Sequence, residues 1–345
     1  MESTKMPNIE DREKLRTITL EEHFMSPAYM EGPGRELAER ARSAGAHSPL
    51  SVMNAHLIDQ LLDLGELRIG EMDAAGIDVQ VISLNSPGVE QLDPKPAQTL
   101  ARQSNDVLGE AVRRHPDRFA GFAALPVQTP DLAAAELERT VREYGFKGAV
   151  INGHMRGRYL DDPTFWPILE RAQALQVPIY LHPTPPPQPV IQASYTGNFP
   201  AQVSAQLAAS GWGWHIETAI HILRIILSGA FDRFPRLQFV IGHLGEALPF
   251  MLPRLDHNLP VQLTKLERPI GAYLRENLFY TFSGFNYLPN FLDLQFQVGV
   301  ERILFSADYP YSSIQAARVF LDQLPISPMD RHRIAHGNAE ALLRM

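Results

Sequence analysis

A small set of side chains in this sequence combines cation-binding chemistry with positions at or just beyond the ends of apolar runs. They are Glu21 and His23 in Thr19-Leu20-Glu21-Glu22-His23-Phe24, His182 in Ile179-Tyr180-Leu181-His182, His243 in Phe239-Val240-Ile241-Gly242-His243, and Asp308 in Leu304-Phe305-Ser306-Ala307-Asp308. Alternate side chains of a strand share a face, so Glu21 and His23 are expected to point one way and Glu22 the other. A carboxylate and an imidazole on one face can both reach a single divalent ion, at about 2.0–2.2 Å for zinc. One Glu-x-His is weak evidence, because charged residues usually occupy solvated faces. A lone buried histidine, too, is usually a hydrogen-bonded core residue. Recurrence at the ends of several strands is harder to explain in those terms, since an unpaired polar group is costly to bury. The chain has no cysteine, so nitrogen and carboxylate oxygen are the available donors. That set suits Zn²⁺, Mn²⁺ or Fe²⁺ better than copper or a calcium cage. Glu21, His23, His182 and Asp308 form the expected ligand set, with His243 either a fifth ligand or a neighbouring acid/base. Glu246 lies three residues beyond His243 and has two readings. One is a favourable charge in the first turn of the next helix; the other is a partner that fixes the tautomer of His243.

Eight strands are expected to position these residues. They cover the end of the run at 15–23, then 78–84, 119–125, 148–152, 177–182, 237–243, 278–283 and 302–308. Each is short and apolar, and helical spacing fills the segments between: 57–75, 96–115, 131–144 with Thr129-Pro130 as cap and first residue, 162–176 and 215–228. Strands alternating with helices imply a parallel sheet, and eight such units are the number that closes a (β/α)8 TIM-type barrel, whose active sites lie at the C-terminal ends of the strands. An open doubly wound sheet would be announced by a glycine-rich turn after the first strand; Glu-Glu-His stands there instead. Two connections are long: 25–56 after strand one, with a short helix expected over 35–44, and 183–214 after strand five, first proline-rich and then aromatic. The length of the first points to a functional lid or a disordered segment; the aromatic part of the second, 195–214, could stack on a ring or form a subunit contact or local core.

Composition narrows the classes. The 345 residues carry a net charge of −8 with no Lys/Arg-rich run, which argues against a nucleic-acid partner. The hydrophobic fraction of 45% is that of a globular protein with a sizeable core. No apolar run approaches the ~18 residues of a membrane span. Residues 1–16 are polar, without the apolar stretch of a signal peptide. With no composition break in view, one domain over 1–345 in the cytoplasm is expected.

The motifs resemble a known family. Leu20-Glu21-Glu22-His23-Phe24, Gly121-Phe122-Ala123-Ala124-Leu125-Pro126, Gly145-Phe146-Lys147-Gly148-Ala149, Tyr180-Leu181-His182-Pro183, Glu217-Thr218-Ala219, Phe231-Asp232-Arg233-Phe234-Pro235, Gly242-His243-Leu244-Gly245-Glu246, Arg302 to Pro310 and Gly337-Asn338-Ala339 run nearly end to end. Together they resemble the amidohydrolase superfamily, in its branch of non-oxidative hydroxybenzoate decarboxylases (γ-resorcylate, 2,3-dihydroxybenzoate and 5-carboxyvanillate types). The resemblance implies one divalent metal, Zn or Mn, on Glu21, His23, His182 and Asp308. It implies proton transfer through His243 and Glu246, a substrate contact from Arg254 in Arg254-Leu255-Asp256-His257, within one subunit or across an interface, and a homodimer or homotetramer. The implied substrate is a small aromatic acid, and the implied proton donor to its ring is Asp308. In two places the sequence departs from the pattern. Relatives often carry Asn directly after the Ser-Gly that closes strand seven, whereas Ser283-Gly284 is followed by Phe285, with Asn286 one place later. The segment 35–56 matches no pattern of the family.

Two other functions fit the same barrel. A metal-dependent hydrolase of a lactone, ester or amide would generate hydroxide at the metal. Many such enzymes use His-x-His on strand one and a modified lysine ending strand four, whereas this chain has Glu21-x-His23 and Asn152, with Lys147 at the opposite end of the strand. A binding protein that keeps the barrel without the chemistry is the other; a candidate at every ligand position speaks against it.

Overall fold

The computed structural model describes residues 15–35 and 55–345. The strands are β1 (Ile18–Phe24), β2 (Val79–Leu84), β3 (Phe119–Ala124), β4 (Gly148–Asn152), β5 (Ile179–His182), β6 (Phe239–Ile241), β7 (Leu278–Thr281) and β8 (Ile303–Leu304). They pair in chain order, each parallel to the next. The row closes on itself where Leu20 N donates to Phe305 O at 3.1 Å and His23 N to Tyr309 O at 2.8 Å. The result is the (β/α)8 barrel expected from the alternation of elements.

Alternation along each strand divides the apolar side chains into two sets. Ile18, Leu20, Val79, Val81, Ala120, Phe122, Val150, Tyr180, Val240 and Leu304 fill the barrel, and Ala339 and Leu343 of the last helix (Asn338–Leu343) join them. Phe24, Ile82, Phe119, Ala123, Ile151, Leu181, Phe239, Ile241, Tyr280 and Phe305 belong to the larger core that includes the surrounding helices. Helix Pro94–Arg114 shows why such a segment docks: Ala97, Leu100, Ala101, Leu108 and Ala111 recur at three- and four-residue spacing and are all buried.

The structure differs from the sequence expectations in identifiable places. The segment expected as one helix over 57–75 is two, Ala55–Leu62 and Glu66–Ala75. Asp63 breaks it, its Oδ1 accepting from Gly65 N at 3.0 Å and from Arg68 N at 2.9 Å, an alternative to continuing the helix. The long connection after β5 holds two helices, Gln188–Ser194 and Ala201–Ala208. The helix expected from 162 opens with a 3₁₀ turn, Pro163–Phe165, capped by Asp162 Oδ1 on Thr164 N at 2.9 Å. The short helix expected over 35–44 lies, beyond Arg35, outside the described residues, as does most of segment 35–56. Among the described residues no helix is long and apolar enough to cross a membrane.

Candidate metal centre and active site

Glu21 and His23 reach the barrel mouth by a route that plain alternation does not supply. Alternation places both on the face of Thr19, opposite Ile18 and Leu20, yet Ile18 and Leu20 face the barrel interior. A β-bulge resolves this. Leu20 pairs with Val81 and Glu22 with Ile82, so Glu21 is the extra residue, with φ of 72°. Beyond the bulge the frame is reversed: Phe24 joins the outer core, and Glu21 and His23 turn inward. Glu22 turns aside and accepts the backbone N–H groups of Ala307 and Tyr309, each at 3.0 Å.

At the mouth, Glu21, His23 and His182 each offer a ligand atom within 4.8 Å of the others. Glu21 Oε1 lies 3.5 Å from His182 Nε2 and 4.0 Å from His243 Nε2. Asp308 joins through His23, whose Nε2 is 3.1 Å from its Oδ1. His182 Nδ1 donates to Pro183 O at 2.9 Å, which fixes the tautomer that leaves the Nε2 lone pair facing the centre. Glu21 Oε1 and His23 Nδ1 are buried without a hydrogen-bond partner. A floor of hydroxyls holds the other carboxylate oxygen: Tyr180 donates to Glu21 Oε2, and Thr281 Oγ1 lies 3.2 Å from it. Gly242 leaves room for this carboxylate, since a Cβ there would stand 2.6 Å from Glu21 Oε2.

The electrostatics fit a cation. Burial raises the Glu21 carboxyl to about 8, with His243 and Tyr180 opposing and Asp308 and Glu246 adding to the rise. Burial likewise lowers the His23 imidazole to about 3, helped by Arg68 and His243, and puts His182 well below the ordinary histidine range. Neutral imidazoles facing buried carboxyls that resist ionisation for want of a nearby positive charge form a donor set that a divalent ion completes. Orphaned Glu21 Oε1 points to the same fit.

The second group forms around the turn after β6. His243 Nδ1 is 2.7 Å from Glu246 Oε1, and the other oxygen, Oε2, is 2.6 Å from His215 Nδ1. Burial alone would lower His243, but the carboxylates of Glu246 and Glu21 outweigh it and push the imidazole up to about 10. Glu246 goes the other way: burial opposes ionisation, and the two imidazoles bring it down to about 2. Glu246 is not in the first turn of the next helix, which runs Leu248–Asn258 with Ala247 as its cap. The helix-charge reading therefore loses its ground, and the contact with His243 remains. Backbone strain gathers here too. Of the eleven non-glycine residues with positive φ among the described ones, seven are Glu21, His243, Leu244, Glu246, Ala247, Ser283 and Asp308, a clustering typical of functional sites.

Aromatic rings wall the mouth. Tyr311 stands edge-on to His23 at 5.6 Å and donates its hydroxyl to Asn85 Oδ1 at 2.7 Å. Phe285, the departure noted in the sequence, packs against His215 at 5.3 Å and His243 at 5.2 Å, so an apolar ring borders the site there. Two candidates lie elsewhere. Arg254 is solvent-exposed on helix Leu248–Asn258. Lys147 reaches the carbonyl of Arg344 at 3.4 Å, at the opposite end of the barrel, so it supplies no bridging ligand. Sequence reasoning missed Tyr180 and His215. Tyr180 was legible, lying two residues before His182 and therefore on its face; nothing in the spacing marked His215.

The profile of the family described as Amidohydrolase matches residues 53–345. The chain belongs to the amidohydrolase family. The amidohydrolase is 40% identical over 300 residues to gamma-resorcylate decarboxylase of Polaromonas sp. strain JS666, covering 84% of this chain and 90% of that one. It is 37% identical over 339 residues to gamma-resorcylate decarboxylase of Rhizobium radiobacter, covering 95% and 98%. Among solved structures, it resembles the dihydroxybenzoic acid decarboxylase of Polaromonas sp. JS666 with bound manganese and the inhibitor 2-nitroresorcinol, at a TM-score of 0.85 and 37% identity over 95% and 97% of the two chains. A 2,6-dihydroxybenzoate decarboxylase complexed with 2,6-dihydroxybenzoate superposes with a TM-score of 0.84 and 36% identity, over 96% and 99%.

Proposed function

We propose that this amidohydrolase is a metal-dependent, non-oxidative decarboxylase of an ortho-hydroxybenzoate, a carbon–carbon lyase contained in a single domain. The observation that carries the reading is the meeting of Glu21, His23, His182 and Asp308 at the mouth of a closed barrel, beside the linked pair His243 and Glu246. Glu21, His23, His182 and Asp308 would hold one divalent ion, manganese or zinc. When bound, it would supply positive charge that stabilises the substrate's negative oxygens.

The remaining steps belong to the chain's own residues. Direct loss of CO₂ would leave an unstabilised aryl anion, so a proton must reach the ring first. Asp308 delivers it to the carbon bearing the carboxylate, giving a non-aromatic cyclohexadienone. The bond to the carboxylate then breaks, its electron pair returns to the ring, aromaticity and the phenolate are restored, and CO₂ leaves. Asp308 suits this role because it stands at the mouth with Oδ1 against His23 Nε2 at 3.1 Å, and its burial favours the protonated form in the absence of the ion. His243, held at Nδ1 by Glu246, presents Nε2 toward the site and exchanges the proton that Asp308 spends. Tyr311 and Phe285 flank the ring and exclude water.

Arg254 enters the same reading as a substrate contact made in a neighbouring copy. Its own helix carries Phe250 at 76% exposure and Met251 at 42%, apolar surface suited to a homodimer or homotetramer. The test is CO₂ release from a panel of hydroxybenzoates, 2,6-dihydroxybenzoate among them, by manganese- or zinc-loaded protein, against acid release from lactones. Decarboxylation that ceases on chelation is expected, with a raised KM in R254A. Lactone hydrolysis without CO₂ release would replace the assignment by a hydrolase.

A further inference from the structure

We infer that His215 is a positioning residue for the proposed reaction, acting on His243 through the carboxylate they share. The inference rests on the decarboxylase reading for its kinetic consequences, but not for its geometry. His215 opens helix Gly213–Leu227, far in sequence from the turn after β6, and no motif singled it out. Its Nδ1 is 2.6 Å from Glu246 Oε2, while Glu246 Oε1 is 2.7 Å from His243 Nδ1. The Glu246 side chain is fully buried, so these imidazoles are what hold its two oxygens. The rings of His215 and His243 stand edge to face at 4.6 Å.

The proton of His215 is fixed by its other nitrogen. Trp214 Nε1 donates to His215 Nε2 at 3.1 Å, which leaves the ring proton on Nδ1, facing Glu246. Ser210 O, also 3.1 Å from Nε2, takes the bond when the ring carries a second proton, and Nδ1–H faces Glu246 in that state as well. In either case His215 donates to Oε2, which leaves Oε1 free to accept from His243. A carboxylate gripped at one oxygen has its rotamer set for the other, and an imidazole gripped at Nδ1 has its Nε2 aimed. The aim is toward Glu21 Oε1, 4.0 Å away. Glu246 lies in the left-handed region with φ of 54°, so its backbone does not place the carboxylate by ordinary helical geometry. The connection after β5 thereby orients the proton-handling group of the turn after β6.

The experiment separates the donor from the ring. His215→Phe keeps the shape and removes the donor; His215→Asn restores a donor where Nδ1 stood. With metal content equal to wild type, H215F is expected to lose about tenfold or more in kcat with KM little changed. H215N is expected to recover most of that loss. Side-chain nitrogen NMR of labelled histidines reads the His243 Nδ1–H bond to Glu246 without any turnover: one strongly hydrogen-bonded Nδ1–H in wild type and H215N, a weakened and averaged one in H215F. If H215F does not fold, His215→Leu, close to Asn in size, gives the same contrast. A kcat loss that H215N fails to recover, or a His243 Nδ1–H bond indifferent to the donor, overturns the inference. Wild-type protein that releases no CO₂ from any hydroxybenzoate overturns the decarboxylase reading instead, and the NMR comparison still decides the role of His215.

Discussion

Asp308 is asked to satisfy two opposing demands. As a metal ligand it should be an anion; as the proton donor it should be neutral. Without the ion its surroundings divide in the same way: burial raises the carboxyl to about 7 against the pull of His243 and His215, with Glu246 adding to the rise, and a bound cation would move the balance toward the anion. Its Oδ1 contacts His23, and its backbone sits in the left-handed region with φ of 65°. Replacement by Asn separates the two roles, because the amide oxygen can still ligate but carries no exchangeable carboxyl proton. Asp308→Asn is expected to keep metal near the wild-type stoichiometry by elemental analysis and to lose at least about 100-fold in kcat, within the range for a general acid. A variant with full metal and near wild-type turnover would remove Asp308 from the proton path.

The strand ends show how much the sequence could disclose. The polar residues terminating apolar runs were visible because an apolar run ending in His or Asp is chemically conspicuous, and β4 was legible to the residue. The turn of β1 was not. Glu21 and His23 were expected on one face by alternation, and they do meet, but through a bulge at Glu21 that depends on pairing with β2 and cannot be seen in one strand alone. Arg68 was hidden for a similar reason. It reads as a surface position of a polar helix, yet it is fully buried, with Nη2 donating to His23 O at 2.6 Å and Nη1 to Gln80 Oε1 at 3.1 Å. Glu22 completes this element. Its carboxylate binds β1 to the segment beyond β8 by accepting from Ala307 N and Tyr309 N, the residues either side of Asp308. Glu22→Gln turns one acceptor into an NH₂ facing a backbone N–H in a buried place. Denaturant unfolding should show a loss of about 1–3 kcal/mol, and kcat should fall because Asp308 loses its anchor. Unchanged stability and turnover together would mean that the two backbone bonds do not hold the segment.

At the scale of the whole molecule, helix Gly213–Leu227 ties the mouth of the barrel to its outer layer. Its first turn carries His215; further along, His221 Nε2 accepts from Leu160 N at 2.9 Å, in the connection after β4. An imidazole that accepts a backbone N–H must be unprotonated on that nitrogen. His221 is 1% exposed, and burial, with His154 and Arg224 nearby, lowers it to about 3. An unfolded histidine titrates near 6.5. Above that pH both states are neutral and His221 adds no pH dependence. As pH falls from about 6.5 toward 3, the unfolded chain takes up a proton that the folded chain refuses, so stability drains away at up to about 1.4 kcal/mol per pH unit from this group. His221→Gln removes the titration while its amide oxygen can still accept from Leu160 N. Unfolding free energies measured for both proteins from pH 7.5 to 4.5 should therefore run parallel above about 6.5. Below it they should converge, or cross in favour of the variant, because other acid-sensitive groups act on both chains alike and cancel in the difference. A difference that stays constant across the whole range would mean that His221 titrates equally in both states and that its place against Leu160 N is not what makes the folded chain refuse the proton.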